Sequence, residues 1–268
     1  MTRRENTLER IAARTRKRCA EARERVPVER LALQARDIAA GEGAYTFPFE
    51  KSLAAPGMSF ICECKKASPS KGLIAPDFDP VGIARDYEQA GAAAISCLTE
   101  PFFFQGEDRF LADIAHEVRL PVLRKDFVVD EYMVYEAKVL GAHAVLLICA
   151  ILTDDELARC VALCHELGLS ALVEAYAPDE VPRALAAGAR VVGVNNRDLR
   201  TFEVDFGRSI DLRPMVGPDR LFVSESGVET AQDVARLAAV EVDAVLVGET
   251  LMRAANKRAA LDELRSEL

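Results

Sequence analysis

Along this chain, short runs of β-branched and other apolar residues alternate with longer stretches in which apolar residues recur every three or four positions and charges lie opposite. The first pattern predicts strands and the second amphipathic helices, because side chains repeat with a period of 2 on a strand and about 3.6 on a helix. The runs end near Lys65, Thr99, Lys125, Cys149, Glu174, Asn195, Glu225 and Gly248, which makes eight. Helical spacing between them covers segments such as Asp79 to Ala90, Asp130 to Leu140, Thr153 to Leu167, Pro178 to Ala187 and Thr230 to Ala239. Gly91, Gly141, Gly168 and Gly188 follow four of these segments, where a left-handed residue ends a helix at least cost to glycine. Eight strand-helix units with right-handed crossovers are the number that closes a parallel barrel, so the expected fold is α/β, a (β/α)8 TIM barrel. An open doubly wound sheet competes with it. That fold favours a glycine-rich dinucleotide turn after the first strand, and Lys66-Ala67-Ser68-Pro69-Ser70-Lys71-Gly72 lacks the spacing.

Ahead of the first strand lie residues 1–57: a charged amphipathic stretch from Thr7 to about Ala40, then Gly41-Glu42-Gly43 and Tyr45 to Ala55. Nothing there has linker composition, so the expectation is an added N-terminal helix, a helical extension packed on the barrel, with residues 1–268 forming one domain. No apolar stretch reaches the roughly 18 residues that cross a bilayer. The basic start, Met1 to Arg4, runs into Glu5, Glu9 and alternating charge instead of an apolar core, so no secretory signal is visible and a cytoplasmic location is expected.

The net charge of −9 argues against a reader of nucleic-acid backbones, which needs clustered positive charge. Seven cysteines and only three histidines complete no zinc spacing, and the cysteines read as reduced, buried small hydrophobes.

In such a barrel, catalytic groups sit at the C-terminal ends of strands, so charged residues ending apolar runs carry the chemistry. On Met58 to Lys65, alternation turns Ser59, Ile61, Glu63 and Lys65 to one side and Phe60, Cys62 and Cys64 to the other. The second set suits the layer beneath the helices, which leaves Glu63 and Lys65 facing the barrel interior. Lys125 shares the face of Leu123, Glu174 shares that of Leu172, and the sixth run ends in Asn195. Two lysines, two glutamates and an amide on one rim form an acid/base constellation suited to proton transfer. The last two strands open Ser224-Glu225-Ser226-Gly227 and Val247-Gly248-Glu249-Thr250, small-residue turns where such barrels often hold a phosphate. Ser68, Ser70 and Lys71 occupy the longest connection and are candidates for a mobile loop over the substrate.

Several blocks together resemble the indole-3-glycerol phosphate synthase family. They are Glu63 to Gly72, Leu98-Thr99-Glu100 with Phe104-Gln105-Gly106, Leu123 to Phe127, Val173-Glu174, Gly193 to Leu199, Ser224 to Gly227, and Leu246 to Met252. The resemblance implies that 1-(2-carboxyphenylamino)-1-deoxyribulose 5-phosphate closes a five-membered ring, loses CO2 and then water, with no cofactor and no metal. It gives Lys125 the acid that protonates the ketone, Glu174 the general base, Lys65 the second acid with Glu63 as its partner, and Asn195 the hold on the developing hydroxyl. Arg197 would assist the anthranilate carboxylate, Phe104 and Phe127 would line the aromatic pocket, and Ser68, Glu225, Ser226, Gly227, Leu246, Gly248 and Glu249 complete the substrate-binding set. At Glu249, where some members carry a small hydroxyl residue, the backbone N–H and not the carboxylate should face the phosphate.

A phosphorylated small molecule is thus the expected ligand, with other tryptophan-pathway enzymes as the partners to look for. Competing readings are an aldose–ketose isomerase, a Schiff-base aldolase using Lys125, and a phosphate-binding subunit without activity. An anionic substrate on an acidic protein would require a mouth made locally positive by Lys65, Lys71, Lys125 and Arg197. Whether burial or the glutamates dominate the lysine ionisation stays open at this point.

Overall fold

The computed structural model describes residues 6–43 and 45–268; the basic start, Met1 to Arg4, lies outside the described residues. Eight parallel strands close into a barrel: β1 (Ser59–Cys64), β2 (Ala94–Leu98), β3 (Val122–Lys125), β4 (Ala144–Ile148), β5 (Ser170–Ala175), β6 (Val191–Asn195), β7 (Leu221–Glu225) and β8 (Ala244–Val247). Each ends within one residue of the position expected from its hydrophobic run. Closure pairs β1 with β8 through Ser59 opposite Ala244 and Ile61 opposite Leu246, and it pairs β1 with β2 through Glu63 opposite Ser96.

Alternation divides the apolar residues into two cores. Ile61, Ala94, Leu123, Leu146, Leu172, Val191, Val223 and Leu246 fill the barrel interior. Phe60, Cys62, Cys64, Val145, Val173 and Phe222 face the other way, into the layer beneath the helices. All seven cysteines are buried free thiols, as their composition suggested. Helices α4 (Pro80–Gln89), α5 (Glu131–Val139), α6 (Asp154–Glu166) and α7 (Ala231–Ala238) begin after Asp79, Asp130, Thr153 and Thr230. Each of these residues accepts a backbone N–H of the first turn, which replaces a hydrogen bond the helix start lacks.

The N-terminal extension differs from the single helix expected. It is two helices, α1 (Thr7–Arg25) and α2 (Val28–Gly41), followed by a short α3 (Pro48–Leu53). Pro27 separates the first two: it has no N–H to give a continuing helix and disfavours helical backbone at the residue before it. From α1, Arg18 reaches Asp126 at the end of β3 (2.7 Å) and Arg16 donates to the Ile151 carbonyl, so this helix lies across the C-terminal ends of the strands. Helix α3 takes the opposite end. Phe49 and Leu53 are fully buried in the interior core, Ser59 donates to the Leu53 carbonyl, and Glu50 pairs with Arg190 just ahead of β6 (2.9 Å). Among the described residues no helix is long and apolar enough to cross a membrane.

Candidate active site

At the C-terminal mouth a cavity of about 420 Å3 is lined by side chains from most of the strands. Lys125, the last residue of β3, is 14% exposed and points inward as its alternation with Leu123 requires. Its Nζ lies 3.5 Å from Glu174 Oε2 on β5 and 3.2 Å from Glu225 Oε2 on β7. The same Glu174 oxygen accepts from Asn195 Nδ2 at 3.1 Å, and Asn195 Oδ1 accepts the Arg197 backbone N–H at 3.0 Å. Three strands therefore converge on one lysine. Burial alone would push the Lys125 ammonium down, but Glu225 first, then Glu174 and Glu63, outweigh it and hold the group above the ordinary lysine value.

Glu225 pays the cost of that arrangement. Among the described residues neither of its buried oxygens has a hydrogen bond directed at it, although the Lys125 ion pair is close. Burial, and after it the neighbouring Glu174, raise its carboxyl to about 8 against the opposing effect of Lys125. The sequence places Glu225 among the residues of a phosphate turn; the structure directs its carboxylate at Lys125. The signal that would have found it is the alternation already used on β1. Val223 lies in the interior core while Ser224 faces outward to Ser209 (2.8 Å), so Glu225 must face inward.

A second lysine–glutamate pair stands at the end of β1. Lys65 Nζ and Glu63 Oε1 are 2.6 Å apart, and both side chains are largely buried. The neighbouring strand makes room for them with Gly248, where a Cβ would collide with Glu63 Oε1 and lie 2.9 Å from Lys65 Nζ. Gly193 does the same for Glu225, whose Oε1 would meet a Cβ there. The loop after β1 folds into a small hairpin, Ala67–Ser68 against Gly72–Leu73, that no periodicity in so short a segment could signal. Its tip carries Lys71, which pairs with Glu249 across the mouth at 3.3 Å. Arg253, one helical turn on, also donates to Glu249 at 3.1 Å. Burial raises the Glu249 carboxyl, yet these two cations leave it below its ordinary value.

The remaining expected residues gather around the same space. Phe104 and Phe127 pack with ring centroids 5.9 Å apart, and both line the cavity with Ser68, Asn195, Arg197 and Leu246. Ser226, Gly227, Gly248 and Glu249 form its far wall. Ser226 holds a left-handed φ of 67°, uncommon for a residue with a side chain, directly before Gly227 at 81°. Glu174 does not line the cavity but reaches it through Lys125 and Asn195. Of the four residues expected to make the mouth locally positive, Lys65, Lys71 and Lys125 are each in an ion pair. Among the described residues only Arg197 of these four has no carboxylate partner, and its guanidinium donates to the Phe202 carbonyl.

Comparison with known proteins agrees with this geometry. The sequence profile of the family described as Indole-3-glycerol phosphate synthase matches residues 8–264. An indole-3-glycerol phosphate synthase of Lachnoclostridium phytofermentans is 48% identical over 97% of this chain and 99% of its own. That of Ruminiclostridium cellulolyticum is 55% identical over 82% of this chain and 84% of its own. Among solved structures, the 3-hexulose-6-phosphate synthase of Salmonella typhimurium superposes with a TM-score of 0.65 at 16% identity, covering 79% of this chain and 98% of that one, a likeness of fold alone.

Proposed function

The chain belongs to the indole-3-glycerol phosphate synthase family, and from that premise we infer how its barrel mouth divides the work. The enzyme is a carboxy-lyase of tryptophan biosynthesis. It converts 1-(2-carboxyphenylamino)-1-deoxyribulose 5-phosphate to indole-3-glycerol phosphate by ring closure, decarboxylation and dehydration. In ring closure the aromatic carbon that bears the carboxylate attacks the ketone, whose oxygen must receive a proton as the new bond forms. We assign that proton to Lys125. An ammonium whose acidic neighbours hold it above the ordinary lysine value is charged at neutral pH and is positioned to give up a proton. Loss of CO2 from the same ring carbon leaves a hydroxyl on the former ketone carbon.

Dehydration then needs that hydroxyl protonated and a proton removed beside it. Lys65, with Glu63 at 2.6 Å, supplies the second acid, and Glu174 takes the proton as base. Asn195 holds the Glu174 carboxylate from one side and is placed to hold the hydroxyl as it forms. Arg197, uncommitted to any carboxylate among the described residues, suits the anthranilate carboxylate by charge-assisted bonding. Phe104 and Phe127 provide flat walls for the ring, and the turns at Ser226-Gly227 and Gly248-Glu249, with Ser68 from the hairpin and Leu246 beneath, close around the phosphate end. The observation that carries this reading is the contact of one lysine with carboxylates from two other strands. We further take residues 1–268 as one domain with 1–57 as its helical extension, a cytoplasmic enzyme whose buried reduced thiols suit that compartment, and other tryptophan-pathway enzymes as its partners.

The test is formation of indole fluorescence on adding substrate to purified protein, which contributes no tryptophan background of its own. Lys125→Ala should lower kcat by roughly 10²–10⁴-fold while inorganic phosphate still competes with substrate, and Glu174→Gln should behave likewise. Turnover at the wild-type rate in either variant would move that role to another residue.

A further inference from the structure

Glu100 is a buried carboxylate for which the reaction has no step. It follows β2, is fully buried, and forms no ion pair among the described residues. Its oxygens instead accept three successive backbone N–H groups: Phe102 to Oε1 at 3.0 Å, and Phe103 and Phe104 to Oε2 at 2.6 and 3.0 Å. Burial raises its carboxyl above the ordinary value, and the three N–H groups oppose that. The Gly106 N–H closes the loop on the Glu100 carbonyl at 2.8 Å, and Gln105 between them takes a left-handed φ of 53°. Gly106 sits so tightly against the Leu98 carbonyl that a Cβ would not fit. On the outer side Arg14 of α1 stacks on Phe102 at 4.0 Å.

This geometry fixes the backbone that carries Phe104. Three consecutive N–H groups aimed at one point require an acceptor with two oxygens. A glutamine in the same place would offer one and turn an NH2 donor toward the others. A neutral amide therefore leaves at least one buried N–H unpaired, and the loop is free to relax around it. Phe104 packs at 5.9 Å against Phe127, two residues beyond Lys125, so any relaxation displaces the ring wall relative to the catalytic lysine.

We propose that Glu100 is a positioning residue for the aromatic half of the substrate, setting through the amides of residues 102–104 where the Phe104 ring stands in the mouth. The proposal rests on the reading of Phe104 as a wall for that ring. Its specificity follows from location: among the described residues the carboxylate's hydrogen bonds go to the amides of residues 102–104, at the aromatic end of the cavity, and not to the turns 226–227 and 248–249.

The experiment compares Glu100→Gln, Glu100→Asp and Phe104→Leu in the full-length enzyme. It measures kcat and KM, competitive inhibition by inorganic phosphate, and hydrogen exchange at the amides of residues 102–104. Glu100→Gln should raise KM roughly five- to tenfold, about the worth of one well-placed aromatic contact, with kcat nearly unchanged, phosphate inhibition unaltered and faster exchange at those amides. Glu100→Asp, which keeps the charge but withdraws it by one methylene, should move KM and exchange in the same direction by less, and it carries the test if the glutamine variant does not fold. Unchanged KM in the folded variants would overturn the proposal, as would a phosphate inhibition constant that rises together with KM. Should Phe104→Leu itself leave KM at the wild-type value while Glu100→Gln still speeds exchange, the aromatic-wall reading fails and not the loop geometry.

Discussion

Around Lys125, charges from distant strands decide the ionisation of one another. With Glu225 protonated, the group of Lys125, Glu174 and Glu225 is neutral; with Glu225 ionised it carries one negative charge. Because Glu225 is raised to about 8, that change falls just above neutral pH. The extra charge repels an anionic substrate and tightens the hold on the Lys125 proton, so kcat/KM should fall as pH rises through about 8. In Glu225→Gln that alkaline limb should flatten, and an unchanged pH profile in the variant would place the titration elsewhere. The same group predicts a stability trend. Its proton is bound more tightly in the folded than in the unfolded chain, so its contribution is complete below about 4.5 and lost as pH rises through about 8. Denaturation midpoints should accordingly shift in favour of Glu225→Gln across that window. The inward direction of Lys125 and Glu174 was legible from alternation, whereas the role of Glu225 was obscured by the small residues that follow it. Glu100 could not be read at all, since its partners are backbone amides that every sequence possesses.

Among the elements, the hairpin after β1 and the helix that follows β8, α8 (Glu249–Arg253), meet through the ion pair of Lys71 with Glu249. Both side chains are partly exposed, at 45% and 26%, and such a pair contributes only about 0.2–1 kcal/mol. That is enough to shift a short hairpin between positions severalfold and too little to lock it. Trypsin cleavage after Lys71 should therefore quicken roughly two- to fivefold in Glu249→Gln at low salt, and the difference should shrink as salt screens the pair. Equal cleavage rates at low salt would mean that the hairpin is held by its own turn. The barrel helices were legible because cap, periodicity and terminal glycine agree: Gly91, Gly141, Gly168 and Gly188 all adopt left-handed backbone, with φ between 71° and 88°. The extension was read less well, since one amphipathic stripe continues past Pro27 while the backbone does not.

On the scale of the whole molecule, the acidic surface and the paired mouth set how an anionic substrate arrives. The net charge is −9, and the three lysines at the entrance are each balanced by a neighbouring carboxylate. Long-range steering is consequently weak, and kcat/KM should change by less than about threefold between roughly 20 and 300 mM salt. A tenfold decline would reveal a positive mouth that the ion pairs do not show. The ends of the barrel are likewise divided between elements far apart in the chain. Helix α3 plugs the N-terminal end with Phe49 and Leu53, which leaves the C-terminal end open for chemistry under α1.

Sequence by itself determined the barrel, because eight apolar runs and the helices between them are written in local periodicities that each segment carries alone. It also determined which ionisable residues stand at strand ends and, by alternation, that most face inward. Only the tertiary structure decided which of them meet. Lys125, Glu174 and Glu225 come together because closure and strand register bring three separate strands to one rim. That meeting also decides the ionisation: burial in the barrel by itself would lower the Lys125 value, and it is the carboxyl groups delivered from other strands that raise it.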